Sequence, residues 1–168
     1  ELRPPRDTDS SRPPTLLFVG YMARWENQDA VRWFTDEVLP GVRRSRPDAR
    51  VVVAGGGIPD ALAAHLNACG VETPGFVDDL EALYRDCTAV IAPLRLGAGV
   101  KFKVVEAMIR GIPTVTTSVG HEGIGPTEGT VIADDPARFG EALLSLLADV
   151  GAADQAARAG APHVADQY

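Results

Sequence analysis

The 168-residue sequence predicts a doubly wound α/β fold, a mainly parallel six-stranded sheet with helices on both faces. Three observations lead to it. Short apolar runs alternate with helix-length segments five or six times, as successive β–α units do. The runs are continuous and β-branched rather than alternating with polar residues, so each strand is buried on both faces. Apolar residues make up 45% and charged residues 23%, which fits one soluble domain and excludes a disordered or fibrous chain over most of the length.

The elements follow in order. Residues 1–14 (ELRPPRDTDSSRPP) hold four prolines among mixed charges and read as a linker, leaving 15–168 as the folded domain. TLLFVG (15–20) is the first strand. A helix starts near Asn27, capped by Asn27 or Asp29, with Val31, Phe34, Val38 and Val42 on one face; Pro40 must end or kink it. ARVVVAGGG (49–57) is the second strand, running into three glycines. Pro59 opens a helix that Gly70 stops, and VETPGFV (71–77) is the third strand. After a short helix, TAVIAP (88–93) is the fourth strand. The loop LRLGAG leads into the helix VKFKVVEAMIRG, which Gly111 ends. IPTVTT (112–117) and GTVIA (129–133) are the fifth and sixth strands. Pro136 opens a long amphipathic helix through Asp149, and an Ala-rich helix closes the chain. Trp33 is expected to be packed and Trp25 exposed. Asp78-Asp79 and Asp134-Asp135 each precede a helix and read as caps rather than metal ligands.

Charge and cysteine usage narrow the function. The formal net charge is −7, which opposes general binding to nucleic acid. Cys69 and Cys87 stand eighteen apart without a CxxC spacing, and read as reduced, partly buried thiols. No apolar run reaches the roughly 18 residues of a membrane span, and the charged, Pro-rich start is not a signal peptide, so a cytoplasmic protein is expected.

In a doubly wound sheet, ligands sit beyond the C-terminal strand ends, here the loops 20–27, 54–58, 75–79, 93–100 and 118–127. The richest is Gly97-Ala98-Gly99-Val100-Lys101-Phe102-Lys103, running on to Glu106. Two glycines follow a buried strand and open a helix, whose free N–H groups and positive dipole end attract anions. Of sixteen basic residues only these two are lysines, Lys101 and Lys103. A cation at a helix start is unfavourable by about 0.3–1 kcal/mol, and a bound phosphate reverses that sign. The alternative is a solvated turn in which Lys103 pairs with Glu106 at i,i+3. Glu106, expected to be half buried among Val105, Ala107 and Met108, suits ribose hydroxyls. Arg95 is a further phosphate candidate, and His121-Glu122 a candidate on the sugar side. Neither the GxGxxG dinucleotide fingerprint after the first strand nor a GxxxxGK[ST] P-loop occurs. An acidic pair after the first strand, as a phosphoryl-accepting receiver domain needs, is also missing.

The blocks FVG (18–20), VVVAGGG (51–57), GFVDDLEALYRDC (75–87) and above all APLRLGAGVKFKVVEAMIRGIPTVTT (92–117) resemble the C-terminal, donor-binding half of a GT-B retaining glycosyltransferase of the group 1 family. The resemblance covers about residues 15–150. It implies a Rossmann-like domain facing a missing N-terminal acceptor domain across a cleft, and a nucleoside diphosphate sugar as substrate, with UDP or GDP as its nucleotide and no metal or other cofactor. It also implies that the last helix, around Ala152 to Tyr168, packs toward that missing domain in the intact family, and so is mobile or exposed here. It implies that Gly97, Gly99, Val100, Lys101 and Lys103 meet the diphosphate, that Lys101 and Lys103 are the catalytic charges, and that Glu106 binds the ribose. Arg24 matches the family's basic position after the first strand. Where the family often carries a second Glu facing the donor sugar, this chain has Ala98. The partners implied are the nucleotide-sugar donor and an acceptor that can be a peripheral membrane molecule. Two other readings remain open at this point: a nucleotide-binding scaffold without catalysis, and a sugar-nucleotide epimerase of the same architecture.

Overall fold

A computed structural model describes residue 2 and residues 12–168; most of the proposed linker lies outside them. The described strands are β1 Thr15–Val19, β2 Arg50–Ala54, β3 Val71–Gly75, β4 Ala89–Ala92, β5 Thr114–Thr116 and β6 Thr130–Ile132. They form one sheet in the order β3-β2-β1-β4-β5-β6, with every pairing parallel. The helices are α1 Trp25–Trp33, α2 Leu39–Ser45, α3 Asp60–Ala68, α4 Leu80–Asp86, α5 Phe102–Ile109, α6 Pro136–Ala148 and α7 Val150–Ala165. The predicted fold class is the observed one.

Alternate strand residues feed two cores. Leu16, Phe18, Val51, Val53, Ala89 and Ile91 pack with α1, α2, α3 and α6 on one face. Leu17, Val52, Ala54 and Val90 pack with Tyr84 of α4 and Ala107 of α5 on the other. On the first face Phe139 meets Trp33 edge to face at 5.6 Å. Trp33 is buried as expected, and Trp25 is 61% exposed.

The structure corrects the sequence reading at several points. The first helix begins at Trp25, and neither Asn27 nor Asp29 caps it; Arg24 holds the N-cap position without a side-chain bond. Pro40 does not end the helix. It lacks an N–H and crowds the carbonyl four residues back, that of Asp36. The chain widens instead through a π-helical segment, Phe34–Val38, in which the Leu39 N–H donates to the Phe34 carbonyl. The fifth helix opens at Phe102, with Lys101 as its N-cap residue. Pro14, just before β1, is buried, and its carbonyl accepts from the Arg50 N–H at 2.9 Å. Asp79 and Asp135 cap their helices as expected, but Asp134 accepts from the Ser118 N–H at 2.7 Å and from its hydroxyl at 2.6 Å.

The largest departure is α7, which is docked rather than mobile or exposed. Ala157, Gly160, Ala161 and Val164 are buried, and Val164 shares a core with Val104, Val105 and Met108 of α5. Small residues make the contact possible: a Cβ on Gly129 would collide with the Ala157 backbone, and one on Gly160 would lie 2.6 Å from the Glu128 carbonyl oxygen.

At the C-terminal ends of β1 and β2 two backbones nearly touch. Gly55 has φ +142°, and a Cβ there would collide with the Gly20 carbonyl oxygen. Gly55→Ala is therefore expected to destabilise the domain by more than about 2 kcal/mol, combining left-side backbone strain with a backbone clash. Urea denaturation of the two proteins measures it, and unchanged stability would contradict the close approach.

Candidate functional site

The strand order reverses between β1 and β4, and the loops after these two strands enclose a cavity of about 310 Å³. Gly20, Tyr21, Arg24, Glu26 and Asn27 line it from the β1 side. Leu94, Leu96 and Gly97, then Ala98 and Val100 to Lys103, line it from the β4 side. This is the crevice in which doubly wound sheets hold ligands.

Gly97 has φ +102° and Gly99 φ +77°, conformations that other residues avoid. They set the turn from β4 into α5, whose first N–H groups have no partner within the helix. Gly99 has open space where a Cβ would stand, so its glycine is required by the backbone angle rather than by crowding.

Lys103 lies in the first turn of α5 with its ammonium drawn inward. Its Nζ donates to the Asn27 Oδ1 at 2.5 Å and sits 4.4 Å from the centroid of the Phe18 ring. A Cβ on Gly20 would lie only 2.7 Å from that Nζ, so glycine at the end of β1 makes room for the charge. Burial lowers the Lys103 pKa to about 8, and the nearby Arg24 and Lys101 charges push the same way while Glu26 opposes them. An ammonium has three donors, and Asn27 takes one. Lys101 Nζ donates to the Gly99 carbonyl at 2.5 Å and lies 3.5 Å from the Glu122 carboxylate. Arg24 is largely exposed and approaches Glu26 at 3.9 Å. Three cations thus surround one small cavity, an arrangement that favours an anion in it.

The structure brings Arg24, Gly97, Val100, Lys101 and Lys103 together, and Gly99 lies within the same loop. It does not place Arg95 there. That guanidinium makes two bonds to the Asp29 carboxylate, at 3.0 and 2.6 Å, and stacks 5.8 Å from the Trp33 ring centroid. The Glu106 side chain is 46% exposed, close to the half burial expected, and its carboxylate reaches one turn along α5 to Arg110 at 2.9 Å. Lys103 therefore pairs with Asn27, not with Glu106. Glu106 lines an adjoining cavity of about 320 Å³ with Phe102, Val105, Ile109, Arg110 and Tyr168; Phe102 borders both cavities. His121 faces the Gly125 carbonyl at 3.2 Å, and burial lowers its pKa.

Sequence reasoning missed the role of Asn27. This buried amide donates to the Tyr21 carbonyl at 2.8 Å and accepts from Lys103, tying the β1 loop to α5. A polar residue near a helix start reads as a cap, and its partner is 76 residues away.

Comparison with known proteins gives a family and several similar folds. Residues 13–149 match the family described as Glycosyl transferases group 1. An uncharacterised 44.6 kDa protein in the cps region of Klebsiella pneumoniae is 32% identical over 140 residues, covering 77% of this chain and 36% of that protein. The chain thus spans about a third of that relative's length. HepE of Anabaena, solved with UDP and glucose, superposes with a TM-score of 0.71 at 15% identity, over 94% of this chain and 44% of HepE. The C-terminal domain of LpcC, a glycosyl transferase group 1 family protein of Francisella tularensis, superposes with a TM-score of 0.69 at 18% identity, over 95% of this chain and 89% of that domain. Among the described residues no helix is long and apolar enough to cross a membrane.

The buried ammonium has a cost in the ligand-free protein. Lys103 has a folded pKa near 8, below its ordinary 10.5, so between those values the unfolded chain binds more protons. Its contribution to stability accordingly rises as pH increases from about 8 to about 10.5. Lys103→Met keeps the stem and removes the charge. At neutral pH it is expected to stabilise the ligand-free domain by about 1–2 kcal/mol, and the gain should shrink as pH approaches 10. Urea denaturation of both proteins across this range checks it; a variant less stable at neutral pH would show that the charge is satisfied where it stands.

Proposed function

The chain belongs to the group 1 glycosyl transferases, and on that premise we propose that it holds the nucleoside diphosphate of a sugar donor. The observation that carries this reading is the convergence of Arg24, Lys101, Lys103 and the start of α5 on one cavity at the β1–β4 switch point. The diphosphate lies against Gly97, Gly99 and Val100, where the backbone leaves room and the N–H groups are free. Lys103, partly stripped of water, gains more from a bound anion than a solvated lysine would. The Glu106 carboxylate takes the ribose hydroxyls through the adjoining cavity, sharing itself with Arg110.

Transfer breaks the bond between the sugar's anomeric carbon and the diphosphate oxygen, and negative charge grows on the leaving group. Lys101, Lys103 and the helix dipole are already in place to stabilise it without rearrangement. In this proposal the chain's own charges meet the diphosphate, and the donor sugar is a substrate rather than a cofactor. The solved relative HepE holds UDP and glucose, which supports a uridine nucleotide as the first donor to test. An acceptor, and the N-terminal domain that binds it, complete the proposed enzyme. A nucleotide-binding domain without transfer chemistry is the second reading; it draws on Ala98, which lines the cavity where the family often carries a carboxylate.

Calorimetry with UDP and GDP tests the site. Lys103→Ala is expected to weaken binding by roughly 1.5–3 kcal/mol, the range for hydrogen bonds to charged groups. Lys103→Arg should restore little, since a planar fork replaces a point charge. Wild-type affinity should fall as pH rises above about 8, because the ammonium deprotonates. Unchanged affinity in Lys103→Ala would remove Lys103 from the site.

The 168-residue chain alone is expected to transfer no labelled sugar, because an acceptor must be held beside the anomeric carbon for catalysis by positioning. Adding the N-terminal half of the protein in trans should raise transfer above background. Robust transfer by the chain alone would overturn the two-domain reading, and nucleotide binding without any transfer in the intact protein would favour the second.

A further inference from the structure

We propose that Asp36, His65 and Cys69 form a zinc-binding site that clips α3 to the π-helical segment between α1 and α2. The three residues come from two elements and play no part in the nucleotide site. His65 and Cys69 are four residues apart, one turn along α3 and its C-terminal cap, so both side chains meet the same neighbour. That neighbour is Asp36, carried by the π-helical segment that Pro40 imposes on the preceding helix. The His65 Nε2 lies 2.6 Å from the Asp36 Oδ1, and one ligand atom from each of the three residues lies within 4.8 Å of the others.

The donor set selects the metal. A thiolate, an imidazole and a carboxylate are the ligands zinc takes, whereas magnesium and calcium prefer oxygen alone. Tetrahedral zinc with bonds of ~2.0–2.3 Å spaces its ligand atoms roughly 3.3–3.7 Å apart. The Asp36–His65 contact of 2.6 Å is shorter than this and must open, and the thiol, within 4.8 Å, adjusts to it; side-chain rotation of these partly exposed residues supplies both. Asp36 and His65 side chains are 42% and 32% exposed, so the ion has a route in, and water fills the fourth position.

Binding follows simple chemistry. The zinc–sulfur bond forms as the Cys69 thiol proton leaves to solvent. The His65 Nε2 faces the Asp36 carboxylate and so carries a proton there; that proton leaves to solvent, the ring bears its proton on Nδ1, taken up from water where the ring was neutral, and the freed Nε2 lone pair binds the metal. Thiolate and carboxylate together neutralise the ion. Arg43, whose guanidinium donates to the carbonyls of Cys69 and Gly70, is the nearby cation that opposes the metal, and it also anchors the end of α3 so that Cys69 is held in place. Cys87, by contrast, is fully buried and donates to the Tyr84 carbonyl at 3.3 Å, out of reach of such a site.

The test uses the full chain stripped with a chelator and titrated with Zn²⁺ and with Co²⁺. One ion per chain is expected. The cobalt form should show a sulfur-to-metal charge-transfer band and the intense visible bands of four-coordination, both lost in Cys69→Ser. Zinc affinity should fall at least about tenfold in Cys69→Ser, His65→Gln and Asp36→Asn. Zinc should raise the unfolding temperature of the wild type and not of the variants. Circular dichroism checks that each variant folds; Asp36→Asn, on an exposed side chain, carries the test if Cys69→Ser does not. A six-coordinate cobalt spectrum without charge transfer, or zinc affinity unchanged in the folded variants, would overturn the proposal.

Discussion

Parallel β–α–β crossovers are right-handed, and that handedness decides where this molecule can hold a ligand. From β1 the chain crosses to β2 over one face of the sheet, and from β4 it crosses to β5 over the other. The helices that follow β1 and β4 therefore leave the sheet in opposite directions, and nothing fills the space between their starts. The crevice is a consequence of topology, and the residues at positions 20–27 and 94–103 are the ones topology delivers to it. Gly20 and Gly55 then allow the strand ends to close up beneath it, which sets its floor.

Placing charge in that crevice works against the stability of the ligand-free fold. A lysine in the first turn of a helix opposes the helix dipole, and Lys103 is also drawn away from water and set near Arg24 and Lys101. Asn27 answers part of this by offering its amide oxygen, and the Phe18 ring faces the ammonium. In the proposed function a bound anion offsets that cost. The same logic does not extend to Arg95, which is satisfied by Asp29, or to Arg110, which joins Glu81 and Glu106.

Two features show how packing overrides local reading. Pro40 disfavours a continuous helix, yet the apolar residues Phe34, Val38, Leu39 and Val42 all gain burial if the chain keeps turning. A π-helical turn reconciles the two, and it also decides that Asp36 faces α3. The Ala-rich α7, expected to turn toward a missing domain and to be exposed here, packs on this domain instead. Its small residues are what let it approach the loop before β6 so closely, through Gly129 and Gly160.

The sequence by itself determined the alternation of buried strands and helices, and with it the parallel sheet, because continuous β-branched runs have only one stable environment. It also marked the glycine loop and the two lysines, since these break a local rule of helix electrostatics that can be seen within ten residues. What only the tertiary structure decided is which distant groups meet them. Asn27 reaches Lys103, Asp29 claims Arg95, Arg110 claims Glu106, and Asp36 finds His65. Three of these four contacts join residues 29 to 76 positions apart. Such pairings depend on loop lengths, register and side-chain geometry across elements, and no local periodicity carries them.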